Sequence, residues 1–245
     1  MRVVVVALLV VGCATTSDGP ASTTTAPTPT TSTPTTSTTA TIPTTHMTIP
    51  PTTTVPEPEF EATESAATAE RLAHSWSADC PASLDELVWI DLNHWGFDGE
   101  VHEGSIVVAR SEGENVVAVF ARLFEIGFPI DSVVPIGDLP VGIEDDDPDY
   151  NNTSGLHCRR AMGSTRWSEH ALGLAIDVNP LQNPFITSNI LWPENSDRYL
   201  DRTLNEPGMI VAGDEVVAAF EEYGWLWGGY WDSIKDYQHF SVTGR

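Results

Sequence analysis

The chain predicts an α+β fold: a small antiparallel sheet with flanking helices, built as one domain behind a disordered stalk. Three observations carry this. Strand-like and helix-like segments mix without the regular β-α-β rhythm of a parallel sheet. The part with core-forming composition, about Glu70 to Arg245, suffices for one good core and falls short of two typical domains. All eight tryptophans lie in that part, as an ordered globule requires.

In chain order, residues 1–13 read MRVVVVALLVVGC, one basic residue and an apolar run ending in Gly12-Cys13. This is the layout of an export signal, and it is too short for a bilayer span, which needs about 20 apolar residues. Val10-Val11-Gly12-Cys13 resembles a bacterial lipobox, which makes Cys13 the acylated first residue of the mature protein. The alternative is a plain secretory signal that removes Cys13. Residues 14–69 follow as a stalk, nearly all Thr, Pro, Ser and Ala up to about Pro58. Such a tract has nothing to bury and cannot offset the entropy of ordering. As a flexible coil it spans roughly 35–40 Å, a reach suited to a cell-wall layer. His46 and Met47 fall in it without partners. The expected location is therefore outside the cell, lipid-anchored to the outer face of the cytoplasmic membrane and within the wall, or else secreted.

The domain is read as residues 70–245. "SIVVAR" (105–110) predicts a strand. "GENVVAVFARLFEIGF" (113–128) predicts a helix, its apolar residues recurring on one face. "DSVVPI" (131–136) predicts a strand, and the acidic, turn-rich 137–165 a long loop of the kind that carries function. "LAIDV" (174–178) is a strand, "GDEVVAAFEEYGW" (213–225) a helix capped by Asp214, and "HFSV" (239–242) a closing strand.

With 35 acidic and 11 basic residues, the net charge of −24 excludes nucleic acid as a partner, since phosphate binding needs clustered Lys and Arg. A monomer is expected. Of three cysteines, lipidation of Cys13 leaves Cys80 and Cys158 as an even pair in an oxidising compartment, which predicts a disulfide between them.

The chemistry concentrates in "RWSEHALGLAIDVNP" (166–180) and "KDYQHF" (235–240). In the 174–178 strand, Ile176 and Val178 share the face turned to the core, and Asp177 shares the other with Ala175. A carboxylate there is costly unless paired or bound to a metal. His170 precedes the strand, and Gly173 lets the backbone turn so that imidazole and carboxylate converge. With Asp236 and His239 these form a set for a divalent cation. Two imidazoles and one carboxylate, with a fourth position open, describe a catalytic zinc site, and a fourth acid held off the metal suits a general base.

These segments resemble the M15-type zinc D-Ala-D-Ala peptidases. "SEHALGLAID" fits S-x-H-x-x-G-x-A-x-D and "DYQHF" fits D-x-x-H-F. "NNTSGLHCR", "VNPLQNPF" and "GWLWGGYWDSIKDYQHF" look like the extracytoplasmic carboxypeptidase-like branch, so the likeness runs over roughly residues 80–243. The resemblance implies a Hedgehog/D-Ala-D-Ala-peptidase-like fold and Zn2+ held by His170, Asp177 and His239. It implies Asp236 as catalytic base, Arg159 (with Arg160 as its competitor) as the group that polarises the substrate carbonyl, and Ser168 as a substrate contact. The implied substrate is a peptidoglycan stem peptide, cut by D-alanyl-D-alanine carboxypeptidase action or by L-alanyl-D-glutamate-type endopeptidase action. Leu156-His157 departs from the family pattern at the pocket wall, which leaves substrate choice open.

Two other classes compete: a cell-wall-binding module with a structural metal, and an iron oxygenase with a two-His-one-carboxylate site. Asp236 and Arg159 speak against the first, export against the second. "DDDPDYN" (145–151) imitates a calcium loop but lacks the glycine and glutamate such a loop needs. Asn151 and Asn152 each open an N-x-[ST] sequon. His74, His94, His102 and His157 show no paired spacing. Trp225, Trp227 and Trp231 fit cleft and core equally well.

Overall fold

The computed structural model describes residues 57–72, 75–139 and 150–245. The export segment, Cys13, the Thr/Pro tract to residue 56, His74 and most of the 145–151 stretch lie outside these residues.

The first strand, β1 (Ala62–Ala66), pairs antiparallel with β2 (Leu87–Trp95), which pairs antiparallel with β3 (Val101–Ala109). β1 falls within the span read as stalk, so the folded part starts before residue 70. Its Ala-Thr-Glu-Ser-Ala sequence has no apolar alternation, and its place comes from the hydrogen-bonding edge of β2. β2 is buried on both faces. Val88, Ile90 and Leu92 join the main core, whereas Leu87 and Trp89 join a second cluster with Leu72, Ala82, Val107 and Leu156.

Helix α1 (Gly113–Glu125) buries Val116, Val119, Phe120, Leu123 and Phe124, the i, i+3, i+4, i+7, i+8 stripe that packs a helix on a sheet. The strand expected over 131–136 shrinks to β4 (Ser132–Val133), since Pro135 has no N–H to continue a ladder. β4 pairs parallel with β5 (Asn152–Thr153). The later elements are short: β6 (Ala175–Asp177), β7 (Phe185–Ile186), β8 (Leu191–Trp192), α2 (Glu215–Glu222), β9 (Leu226–Trp227), β10 (Lys235–Asp236) and β11 (His239–Ser241). Asp214 caps α2, its carboxylate accepting from the Val217 N–H at 2.8 Å.

In place of one sheet, the strands make three three-stranded sheets, β1-β2-β3, β10-β7-β8 and β6-β11-β9, and the β4-β5 pair. The fold is α+β as expected, with its antiparallel pairing divided among small units. The β6-β11-β9 unit carries Asp177 and His239. Its inner face supplies Ile176 and Phe240 to the main core, where the Phe240 ring stacks on Phe220 of α2 with centroids 3.8 Å apart. Trp225 and Trp227 are buried in the same core. Cys80 and Cys158 are disulfide-bonded with Cα atoms 5.7 Å apart, within the ordinary range. Among the described residues, no helix is long and apolar enough to cross a membrane.

Candidate metal centre

Strand register builds the centre. β11 runs antiparallel to β6 with His239 directly opposite Asp177, Phe240 opposite Ile176 and Ser241 opposite Ala175. Phe240, the next residue along β11, points the other way into the core and anchors the strand, so His239 faces the Asp177 side chain. Asp177 is also bridged on its other edge. Its N–H donates to the Ser154 carbonyl at 2.9 Å, and its carbonyl accepts from the Ser154 N–H at 3.0 Å.

His170 arrives from a 3₁₀ turn, Glu169–Leu172. Ser168 caps that turn, its hydroxyl oxygen accepting from the His170 N–H at 3.3 Å. Gly173 ends it with φ +68°, and a Cβ there would collide with the Ala109 nitrogen and lie 2.8 Å from the Val108 carbonyl carbon. Only glycine lets this turn lie against β3 and still deliver His170 to Asp177.

Three residues bring their donor atoms together. His170 Nε2 is 3.0 Å from Asp177 Oδ2, His239 Nδ1 is 2.9 Å from Asp177 Oδ1, and the two nitrogens are 3.3 Å apart. A tetrahedral zinc with bonds of about 2.0–2.1 Å sets its ligand atoms about 3.3 Å apart, so the two nitrogens already stand at that spacing, each with an Asp177 oxygen beside it. The far nitrogens are occupied too. His170 Nδ1 faces the Gly155 carbonyl at 2.7 Å, and His239 Nε2 faces the Arg245 main-chain oxygen at 2.9 Å. A main-chain oxygen accepts only, so in the neutral rings each outer nitrogen carries the proton and each inner one offers a lone pair. The residues present fit a zinc ion. Among the described residues, this is the one group of three or more His, Cys, Asp or Glu donors close enough to share a metal.

The electrostatics agree. Burial by itself would raise the Asp177 carboxyl, yet His170 and His239 outweigh it and hold Asp177 well below the usual carboxylate range. Burial would lower His239, but the Asp177 hydrogen bond and charge prevail and push it up to about 9. With no metal, a proton at His239 fills the role of the cation.

Asp236 stands apart from this triangle. It lies in β10, which pairs with β7 (Asp236 opposite Phe185), and Tyr237-Gln238 then turns the chain so that His239 starts β11. That break solves the three-residue spacing, which in one continuous strand would put the two side chains on opposite faces. Asp236 is outside the set whose ligand atoms lie within 4.8 Å of one another. Its Oδ1 is buried with no hydrogen-bond partner among the described residues. Burial, with the Asp177 charge added, pushes its carboxyl up to about 7 against the opposing pull of His239 and Arg159.

The two arginines separate by their contacts. Arg160 is engaged: its Nη1 donates to the Thr165 carbonyl at 2.8 Å, and its guanidinium lies 3.5 Å over the Trp167 ring. Arg159 makes no side-chain hydrogen bond or ion pair among the described residues, and its charge is felt at Asp236. Leu156 does not line the site. It packs into the second core cluster behind β2 and β3 because its N–H is tied to the Val107 carbonyl at 2.8 Å. Trp231 does reach the site, its ring centroid 5.5 Å from that of His239. A cavity of about 640 Å³ lined by Glu61, Asp91, Glu103 and Asp138 shares no residue with the metal centre.

Sequence reasoning missed the two main-chain oxygens, of Gly155 and Arg245, that orient the histidines. A main-chain oxygen has no letter in the sequence, and no signal there could have revealed them.

A family model described as D-alanyl-D-alanine carboxypeptidase matches residues 162–242. That span holds His170, Asp177, Asp236 and His239, and the match supports an M15-type peptidase family. No solved structure matches the chain.

Proposed function

We propose that the chain is an M15-type, zinc-dependent peptidase that hydrolyses amide bonds of peptidoglycan stem peptides by D-alanyl-D-alanine carboxypeptidase action, a reading the family match over residues 162–242 supports. The observation that supports this most is the pairing of a ready-made donor triangle with a buried carboxylate held off it. A metal that serves structure alone has no use for a free base beside it, which disfavours a wall-binding module.

His170, Asp177 and His239 hold the cation, which when bound supplies Lewis acidity toward water and carbonyl oxygen. Asp236, with its carboxyl near neutrality, accepts a proton from the attacking water and returns it to the leaving amine. One C–O bond forms, the C–N bond breaks, and the proton ends on the amine. Arg159 faces the oxygen that gains charge, where a preorganised cation is worth most. Ser168, occupied as an acceptor in its turn, keeps its hydroxyl proton for a substrate contact. Export and anchoring through Cys13 would place this chemistry at the wall.

Digestion of purified muropeptides by the zinc-loaded chain, with products weighed, tests the reading. Loss of the terminal alanine from pentapeptide stems is expected. Cleavage inside the stem instead would assign the endopeptidase alternative, and no cleavage of any stem would end the peptidase reading.

A further inference from the structure

We propose that the turn Ser241–Arg245 is a positioning element of the metal centre: the Arg245 main-chain oxygen, held directly by Ser241 and through Gly244 by Trp231, keeps the His239 proton on Nε2 and leaves Nδ1 bare for the cation. This rests on the metal function proposed for His170, Asp177 and His239. A neutral imidazole carries its proton on either nitrogen, and only one of the two forms of His239 offers a lone pair toward Asp177 and His170. The neighbour of the other nitrogen decides which form is present. At His239 that neighbour is the Arg245 oxygen, 2.9 Å from Nε2.

That oxygen is fixed from several sides. The Ser241 hydroxyl donates to the same oxygen at 3.1 Å and accepts from the Arg245 N–H at 3.0 Å, and Ser241 itself is fully buried. The Gly244 carbonyl accepts from Trp231 Nε1 at 3.1 Å. The reversal needs Gly244 at φ +73°, and a Cβ there would come 2.9 Å from Leu226 Cδ1. A four-residue excursion from β11 thus returns the backbone to the side chain that opens the strand. Gly155 serves His170 in the same way, but its neighbours are tied into the fold on both sides. The Ser154 N–H donates to the Asp177 carbonyl and the Leu156 N–H to that of Val107. The Arg245 oxygen depends on the Ser241 side chain and, through Gly244, on that of Trp231.

The test uses the full chain, a chain ending at Thr243, and Ser241→Ala. Zinc affinity is measured by chelator competition, and the imidazole N–H protons of the zinc-loaded proteins are followed by ¹H–¹⁵N spectroscopy. Losing the outer partner of a ligand histidine typically weakens metal binding by about 10–100-fold. That loss is expected in the shortened chain, together with fast solvent exchange of the His239 Nε2 proton, and a smaller loss in Ser241→Ala. Ser241→Ala keeps the tail's length and decides the matter should the shortened chain not fold. Zinc affinity within twofold of the parent, with the Nε2 proton still protected, overturns the positioning role while leaving the metal reading intact. A parent chain that binds no zinc overturns both.

Discussion

Replacing Asp236 with Asn separates a base from a ligand. Asn keeps the shape of the side chain and resembles the protonated acid, which already accounts for about half of Asp236 near pH 7 in the metal-free protein. Folding should therefore be little affected. What Asn cannot do is accept a proton from water. General-base catalysis contributes about 10²–10⁴-fold, or roughly 2.7–5.4 kcal/mol of barrier. Asp236 lies outside the donor triangle, so zinc should stay near one per chain while kcat/KM falls by that factor. The parent's activity should rise with pH as Asp236 ionises, at pH 7 or below because a bound dication favours the carboxylate, and Asn should abolish that limb. His170→Ala, Asp177→Ala and His239→Ala are the comparators, and each should lose zinc and activity together. Zinc content by atomic absorption, beside stem-peptide kinetics across pH, reads both quantities. If Asp236→Asn sheds zinc as readily as His239→Ala, Asp236 is a ligand and the division of roles is wrong.

Replacing Cys80 and Cys158 with Ser opens a loop of 78 residues. The chain-entropy relation gives a cost of about 4.5 kcal/mol, which calorimetry should register as a drop in Tm of roughly 10–20 °C; an unchanged Tm refutes it. A chain beginning at Glu57 should fold like the full protein, whereas one beginning at Glu70 lacks β1 and bares the edge of β2. Equal denaturant midpoints for the two would show that β1 adds nothing. In the metal-free protein, His239 and Asp236 both titrate above their unfolded values, near 6.5 and 3.9. Their contributions are complete below those values and are lost as pH rises, through about 7 for Asp236 and about 9 for His239. The urea midpoint of chelator-treated protein should thus decline from pH 5 to pH 9, and a flat profile contradicts this.

The site was more legible than the scaffold. His170, Asp177, Asp236 and His239 announce themselves because polar residues in short apolar stretches need a reason, and Gly173 marks the turn that gathers them. α1 and the cap of α2 were legible from periodicity and from Asp214. β2 was not, because Leu87 and Trp89 serve one core cluster while Val88, Ile90 and Leu92 serve another, which erases the alternation of a half-buried strand. β1, β7 and β10 owe their pairing to neighbours rather than to their own letters. That Arg160, not Arg159, lies over Trp167 was not legible, since the sequence places the ring near both without saying which arginine takes it.

The cross-strand pairing of Asp177 and His239 also orders events in time. These two residues are 62 apart in the chain, and His170 and His239 are 69 apart. Contacts of such separation close late, since the loop entropy must be met before they gain anything. A strand slipped by one residue would turn His239 away from Asp177 altogether. Until β11 docks in register, the chain holds one histidine and one carboxylate, a poor trap for zinc. An ion bound there would therefore come at the end of folding, as a seal on a finished sheet rather than a seed for it.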